Sequence, residues 1–309
     1  MDADVFGFAN AIKNCIVKFK MIISELMGGM GNQMFQYAFG KQLAIKNGSK
    51  LNLDICFLKS RKFRPNFVYR NYDLEIFNIE ERFVSESISE KYGLDRVPRR
   101  GIRKLFDFKK LKYFQEPNMS FHPEALLLMD DTYISGYWQS ERYFKDIEEQ
   151  IRADFSFKEP ISSKGQGLAE TISGSQSVCL NVRRGDFLTD PILGVIAPEF
   201  YQNAVSEISR KLPAFTIYVF SDDIEWCCHN LTFNAPTQFV THEFAGKKFR
   251  DYLELMILCK HFVIPNSTFA WWAAWLSKSS EKTVIAPKNW FRQKELNNHN
   301  IVPDSWITI

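Results

Sequence analysis

From Ser177 onward, short β-prone runs alternate with helix-prone ones, and this alternation restricts the fold more than any other feature of the chain. Ser177 to Val182 precedes a helix-prone run from Pro198 to Lys211, and Thr216 to Phe220 precedes a helix through Trp226. A short strand near Phe239 precedes Arg250 to Lys260, and Phe262 to Pro265 precedes Phe269 to Ser277. Val284 to Ala286 reads as the last strand. Such a pattern predicts parallel strands joined by crossover helices in a doubly wound α/β sheet. Sheets of this kind bind ligands beyond the carboxyl ends of their strands, and here each polar cluster follows a strand.

The richest cluster is CLNVRRGDF, from Cys179 to Phe187, where an apolar strand ends in two arginines, a glycine and an aspartate. Arg183 and Arg184 stay charged at any working pH, and their planar donor forks fit phosphate oxygens. Gly185 allows a sharp turn, and Asp186 can orient an arginine or accept a proton. Two plainer readings exist. One is a surface turn closed by an Arg–Asp pair; the other is an RGD adhesion tripeptide, which needs an exposed flexible loop rather than the end of a hydrophobic strand. Asn266, Ser267 and Thr268 open another helix, where a hydroxyl and free backbone N–H groups suit a phosphate or serve as an ordinary cap. Asp222 and Asp223 could accept from ribose hydroxyls or a base edge. Their spacing is not that of a metal-binding DxD, so no metal is expected.

The first half begins in the same style. Ile22 to Met27 runs into Gly28, Gly29, Met30, Gly31 and Asn32, followed by helical periodicity from Met34 to Lys46 and a strand at Leu51 to Ile55. A glycine turn at a helix amino terminus offers main-chain donors to an anion, although neither the Walker nor the dinucleotide spacing is present. Tyr133 to Trp138 reads as a strand and Glu141 to Asp154 as a helix capped by Ser140. Trp138 and Gln139 at that strand end form a possible sugar platform. Residues 57–125 carry little signal beyond basic runs at Arg61 to Arg64 and Arg96 to Lys112, which read as solvated faces or as a surface for an anionic substrate or lipid head group. The Gly- and Ser-rich stretch from Phe157 to Ser177 reads as a linker. It divides a first domain, 21–157, from a second, 175–309.

Length and composition agree with this division. A chain of 309 residues can bury two cores, and 45% hydrophobic with 24% charged residues is ordinary for a globular protein. A formal charge of +3 does not argue for nucleic acid. The six cysteines show no metal spacing, which points to reduced thiols and a cytoplasmic setting. Residues 1–20 carry no cleavable-signal pattern. They read as a leader, or as a short basic amphipathic helix through Phe8, Ile12, Cys15, Ile16 and Phe19 that could touch a membrane surface.

Taken together, GGMGNQMFQYAFGKQLA from Gly28, GYWQSERYF from Gly136, VRRGDF from Val182, FSDD from Phe220 and NSTFAWWAAWL from Asn266 resemble the α-1,2-fucosyltransferases of bacterial surface-polysaccharide synthesis, glycosyltransferase family 11. The motifs run in the family's order from Met21 to the end of the chain. The resemblance implies a GT-B arrangement of two Rossmann-like domains facing a cleft, with an acceptor-side first domain and a second domain that holds GDP-β-L-fucose. It further implies no metal or cofactor, and inversion to an α1,2 linkage on a terminal galactose. Carried over, Arg183 and Arg184 would grip the diphosphate and offset the charge growing on GDP. Asn266, Ser267 and Thr268 would add to that site, Gly31 and Asn32 would reach across the cleft, and Asp222 and Asp223 would lie near the nucleoside. Trp138, Gln139 and Glu141 form the acceptor side. One position departs: Asn181 stands two residues before the first arginine, where the family usually has a histidine that looks toward the guanine, so Asn181 is expected to bind the donor through a neutral hydrogen bond there but supplies no imidazole base. Asp186 becomes the carboxylate expected to deprotonate the acceptor or orient Arg183, with Asp190 and Glu141 behind it. The alternatives are another GDP-sugar, a protein hydroxyl acceptor, or a non-catalytic GDP-sugar-binding module.

Overall fold

In the computed structural model, which describes residues 20–60, 68–85, 111–293, 296 and 300–309, the strands form two parallel sheets. In the first half, β1 (Met21–Glu25), β2 (Lys50–Asp54), β3 (Lys112–Gln115) and β4 (Thr132–Ser135) lie in the order β2-β1-β4-β3. The second half places β5 (Ser177–Val182), β6 (Thr216–Ser221), β7 (Thr237–Phe239), β8 (His261–Val263), β9 (Val284–Ala286) and β10 (Ile307–Thr308) in the order β10-β9-β8-β5-β6-β7. The expected pair of doubly wound units is therefore present, a GT-B-like α/β arrangement.

Each order contains a reversal. The chain runs outward from β1 to β2 and then returns to the other side of β1 with β4; likewise it runs from β5 through β6 and β7 and returns to the other side of β5 with β8. At such a switch the connections leave in opposite directions and open a crevice at the carboxyl ends. The glycine turn after β1 and the segment after β4 lie at the first switch. The arginines after β5 and the Asn-Ser-Thr segment after β8 lie at the second.

The helices are α1 (Met30–Asn47), α2 (Cys56–Lys59), α3 (Glu148–Asp154), α4 (Ser163–Gly174), α5 (Pro198–Ser209), α6 (Ile224–Asn230), α7 (Arg250–Ile257) and α8 (Thr268–Leu276). α1 ends at Gly48 with φ 58°, a left-handed position that a glycine adopts without steric cost and that lets Ser49 N–H close back on Ala44 O. α8 is buried from Ala270 to Leu276.

Three expectations change. The run Glu141 to Asp154 is not one helix: two 3-10 turns precede α3, and Phe144 between them is non-helical at φ −142°, ψ 13°. Phe144 is fully buried and stacks on Trp272 at 5.4 Å, so tertiary packing overrides the local helical preference. The Gly- and Ser-rich stretch contains α4 rather than a bare linker, because Leu168 and Ile172, four residues apart, make a buried face. Finally, β3 and β10 carry no strand signal in the sequence. β10 is only two residues long and extends the second sheet by pairing with β9.

The two halves are not separated by solvent. Phe35 on α1 lies 4.6 Å from Trp271 and 4.9 Å from Trp272 on α8, ring centre to ring centre, and one apolar cluster runs through both halves. At their amino termini the helices come closer still. Trp272 Nε1 donates to Gly31 O at 2.9 Å, and a Cβ on Gly31 would lie 2.5 Å from the carbonyl carbon of Thr268. The tryptophans of α8 thus fill the joint between the halves, as core rather than as a sugar platform. No described helix is long and apolar enough to cross a membrane. The stretch 1–19 and the basic runs at 61–64 and 96–110 lie outside the described residues.

Candidate active site

Val182, the last residue of β5, is in register with Ser221, the last of β6, so the residues that follow each strand must meet. Arg183 Nη1 lies 3.0 Å from Asp222 Oδ2, and Arg184 Nε lies 3.1 Å from Asp223 Oδ2. The Arg184 backbone N–H donates to Asp222 Oδ1 at 2.9 Å, and its guanidinium sits over the ring of Trp226, 3.7 Å from the centre. Asp223 also caps α6, its Oδ1 accepting from Trp226 N. Trp226 and Asp223 therefore fix Arg184 from two directions.

Gly185 serves space rather than a special turn angle. A Cβ there would stand 2.4 Å from Asp222 Oδ2, so any side chain would displace the carboxylate that orients both arginines. Asp186 follows in a 3-10 turn and binds Arg183 Nη2 through one oxygen. Its other oxygen accepts from Arg70 Nη2 at 2.5 Å, from the first half of the chain. With both oxygens engaged, Asp186 is placed to orient guanidiniums, one of the two roles open to it from sequence.

The amino terminus of α8 faces the same crevice. Ser267 is its N-cap residue by position, yet its hydroxyl makes no cap bond, and Thr268 stands next to it against Gly31. Uncapped N–H groups with the positive end of a helix dipole form an anion site. Asn266 does something else. Its Nδ2 donates to Leu193 O, Gly194 O and Trp290 O at 3.0 to 3.2 Å, bracing the loops beneath the crevice. Across from these, Asn32 Oδ1 accepts from Gln139 Nε2 at 2.8 Å, joining the glycine turn after β1 to the segment after β4.

The description "Glycosyl transferase family 11" matches residues 8–309. The chain belongs to that family. Among family 11 relatives it is 30% identical over 94% of its length to an alpha-1,2-colitosyltransferase of Escherichia coli, covering 99% of that protein. It is 29% identical over 93% of its length to the O-antigen biosynthesis glycosyltransferase WbnK of the same organism, again covering 99%. A shorter match, 47% of this chain and 42% of the other at 28% identity, links it to a galactoside alpha-(1,2)-fucosyltransferase 1 of Sus scrofa.

Within this glycosyltransferase the structure brings Arg183, Arg184, Asp186, Asp222 and Asp223 into one cluster, with Asn266, Ser267 and Thr268 leading into α8 beside it. Asp222 and Asp223 are engaged by the arginines. Gly31 lets Thr268 come close, and its carbonyl accepts from Trp272 Nε1. Asn181 is buried within β5 and donates to Phe220 O at 3.1 Å. Trp138 has no exposed surface; its ring packs on Phe39 at 4.5 Å, which removes it as a sugar platform and leaves Gln139. Glu141 Oε2 accepts from Trp275 Nε1 at 3.2 Å, and Asp190 accepts from the N–H groups of Ile192 and Leu193.

Three side chains of the glycosyltransferase went unnoticed in the sequence: Arg70, Trp226 and Glu116. Arg70 lies in the stretch without periodic signal. Glu116 follows β3 and accepts from Tyr137 N at 2.6 Å and Trp138 N at 3.1 Å, while a Cβ on Gly136 would overlap it. This carboxylate holds the turn that presents Gln139, a turn strained by Trp138 at φ 56°. Burial pushes the Glu116 carboxyl up from 4.5 to about 7, outweighing the two N–H donors. The folded state then keeps the proton to higher pH than the unfolded chain. Its contribution to stability is complete below the unfolded value and is lost as pH rises through about 7. Glu116→Gln is therefore expected to flatten the fall in melting temperature across that interval. Thermal melts in a pH series check this, and an unchanged slope would assign the fall to other groups.

Proposed function

We propose that this chain is an inverting transferase that moves L-fucose from GDP-β-L-fucose to the 2-hydroxyl of a terminal galactose. The observation that carries the reading is the pair Arg183 and Arg184, held at the switch point of the second sheet by Asp186, Asp222 and Asp223. Guanidiniums fixed before the substrate arrives stabilise charge that develops on a leaving diphosphate without reorganising during the step. In this mechanism Arg183 and Arg184 bind the diphosphate, and Ser267, Thr268 and the α8 amino terminus add donors. The acceptor sits on the first-half side near Asn32 and Gln139. As the sugar–phosphate bond breaks, its electron pair goes to GDP, the galactose 2-hydroxyl attacks the opposite face of the sugar, and its proton leaves to solvent or a nearby base.

A second donor is favoured by one specific observation, the relative named as a colitosyltransferase. Colitose differs from L-fucose by a single hydroxyl, and a site that hydrogen-bonds that hydroxyl discriminates far more strongly than one that merely leaves room for it. The deciding experiment incubates the protein with GDP-fucose or GDP-colitose and a panel of β-galactosides in excess chelator, reading the product linkage by NMR. An α1,2-fucosyl product at a rate unaffected by chelator supports the proposal. Transfer of colitose alone, or of neither sugar to any galactoside, overturns it.

A further inference from the structure

We propose that Arg70 is a third arm of the diphosphate site, delivered by the half of the chain opposite Arg183 and Arg184; this rests on the donor reading above. Three observations converge on it.

The first is placement. Arg70 and Arg183 bind the two oxygens of one carboxylate, Asp186, so their guanidiniums stand on either side of it at the crevice. About a third of the Arg70 side chain is open to solvent, and its Nε would be 4.0 Å from a Cβ on Gly29 in the glycine turn. An arriving diphosphate competes with Asp186 for both guanidiniums, and Arg70 can turn to it without crossing the core.

The second is charge. Arg183 and Arg184 are met by three carboxylates, Asp186, Asp222 and Asp223, an arrangement that on its own is net negative and would repel a nucleotide. Arg70 brings the cluster to balance, and the α8 amino terminus then tips it toward an anion.

The third is the care with which the segment bearing Arg70 is held. Gln33 is fully buried at the start of α1; its Nε2 donates to Gly28 O at 2.9 Å and Asn71 O at 2.8 Å, and its Oε1 accepts from Asp73 N at 2.9 Å. One amide thus ties the glycine turn to both sides of Tyr72. From the other half Lys248 donates to Tyr72 O and pairs with Glu75 at 3.3 Å and Asp73 at 3.8 Å. Arg70 projects from the end of a strap pinned by both halves, which is how a residue that must meet a ligand across a cleft is positioned.

The test compares wild type, Arg70→Ala, Arg70→Lys and Arg183→Ala, with GDP binding measured by calorimetry, guanosine binding by saturation-transfer NMR, and melting temperature. Loss of a charge-assisted contact to phosphate predicts that Arg70→Ala binds GDP at least about tenfold more weakly while guanosine is unaffected, and that Arg70→Lys recovers part of the loss. A structural brace alone would lower the melting temperature and weaken both ligands alike, which overturns the proposal. If Arg70→Ala binds GDP as the wild type does while Arg183→Ala does not, Arg70 is excluded and the donor reading stands. If Arg183→Ala also binds GDP normally, the donor reading itself falls and Arg70 with it.

Discussion

Arg183→Ala is expected to lower kcat by about 10² to 10³, the usual consequence of removing one preorganised donor from a site where charge develops. The geometry makes the loss specific. Arg183 is held by Asp186 and by Asp222 at 3.0 Å, while Asp222 is also bound by the backbone N–H of Arg184, so the carboxylates keep partners when Arg183 is gone. The site should lose a guanidinium without losing its shape, and the melting temperature should stay close to wild type. Arg183→Lys is expected to recover only a minor part, because an ammonium cannot bridge Asp186 and Asp222 through separate nitrogens while facing a phosphate. Steady-state kinetics over GDP-fucose concentration separate the possibilities. A rise in KM with kcat unchanged would mean that Arg183 binds ground state and transition state alike, and the electrostatic role assigned to it would fail.

The second sheet and the arginine cluster were legible in the sequence because each signal there is local. Val178 to Val182 is an apolar strand by composition, the polar residues that follow must emerge at its carboxyl end, and a parallel sheet puts that end beside those of β6 and β8. What could not be read was anything decided by a distant partner. Phe144 breaks a helical run because it stacks on Trp272, more than a hundred residues away. The tie of Asp222 and Asp223 to Arg183 and Arg184 shows only once register brings the two strand ends together. Trp138 looks like a platform until Phe39 and Tyr143 cover it. Arg70 stands alone among aromatic and acidic residues with no periodic signal, and only the fold brings it to Asp186.

Trp272→Ala is expected to destabilise the protein by about 3 to 5 kcal/mol, the range for deleting a large buried ring. Trp272 is fully buried between the halves, with Phe35 at 4.9 Å, Phe144 at 5.4 Å, Phe155 at 5.1 Å and Trp275 at 5.3 Å around it. Its Nε1 also satisfies Gly31 O, an acceptor that alanine would leave without that donor. Such a loss is a large share of the roughly 5 to 15 kcal/mol that holds most proteins folded. Calorimetric melting should therefore fall by on the order of ten degrees. Trp272→Phe keeps most of the stacking and gives up the hydrogen bond, so it should cost only about 1 to 3 kcal/mol. The two variants also separate packing from function. The contact between Gly31 and Thr268 sets where α8 begins, so loosening it should weaken GDP binding well below the melting temperature in Trp272→Ala and much less in Trp272→Phe. If phenylalanine proves as damaging as alanine, the hydrogen bond to Gly31, rather than the aromatic packing, holds the two halves in register.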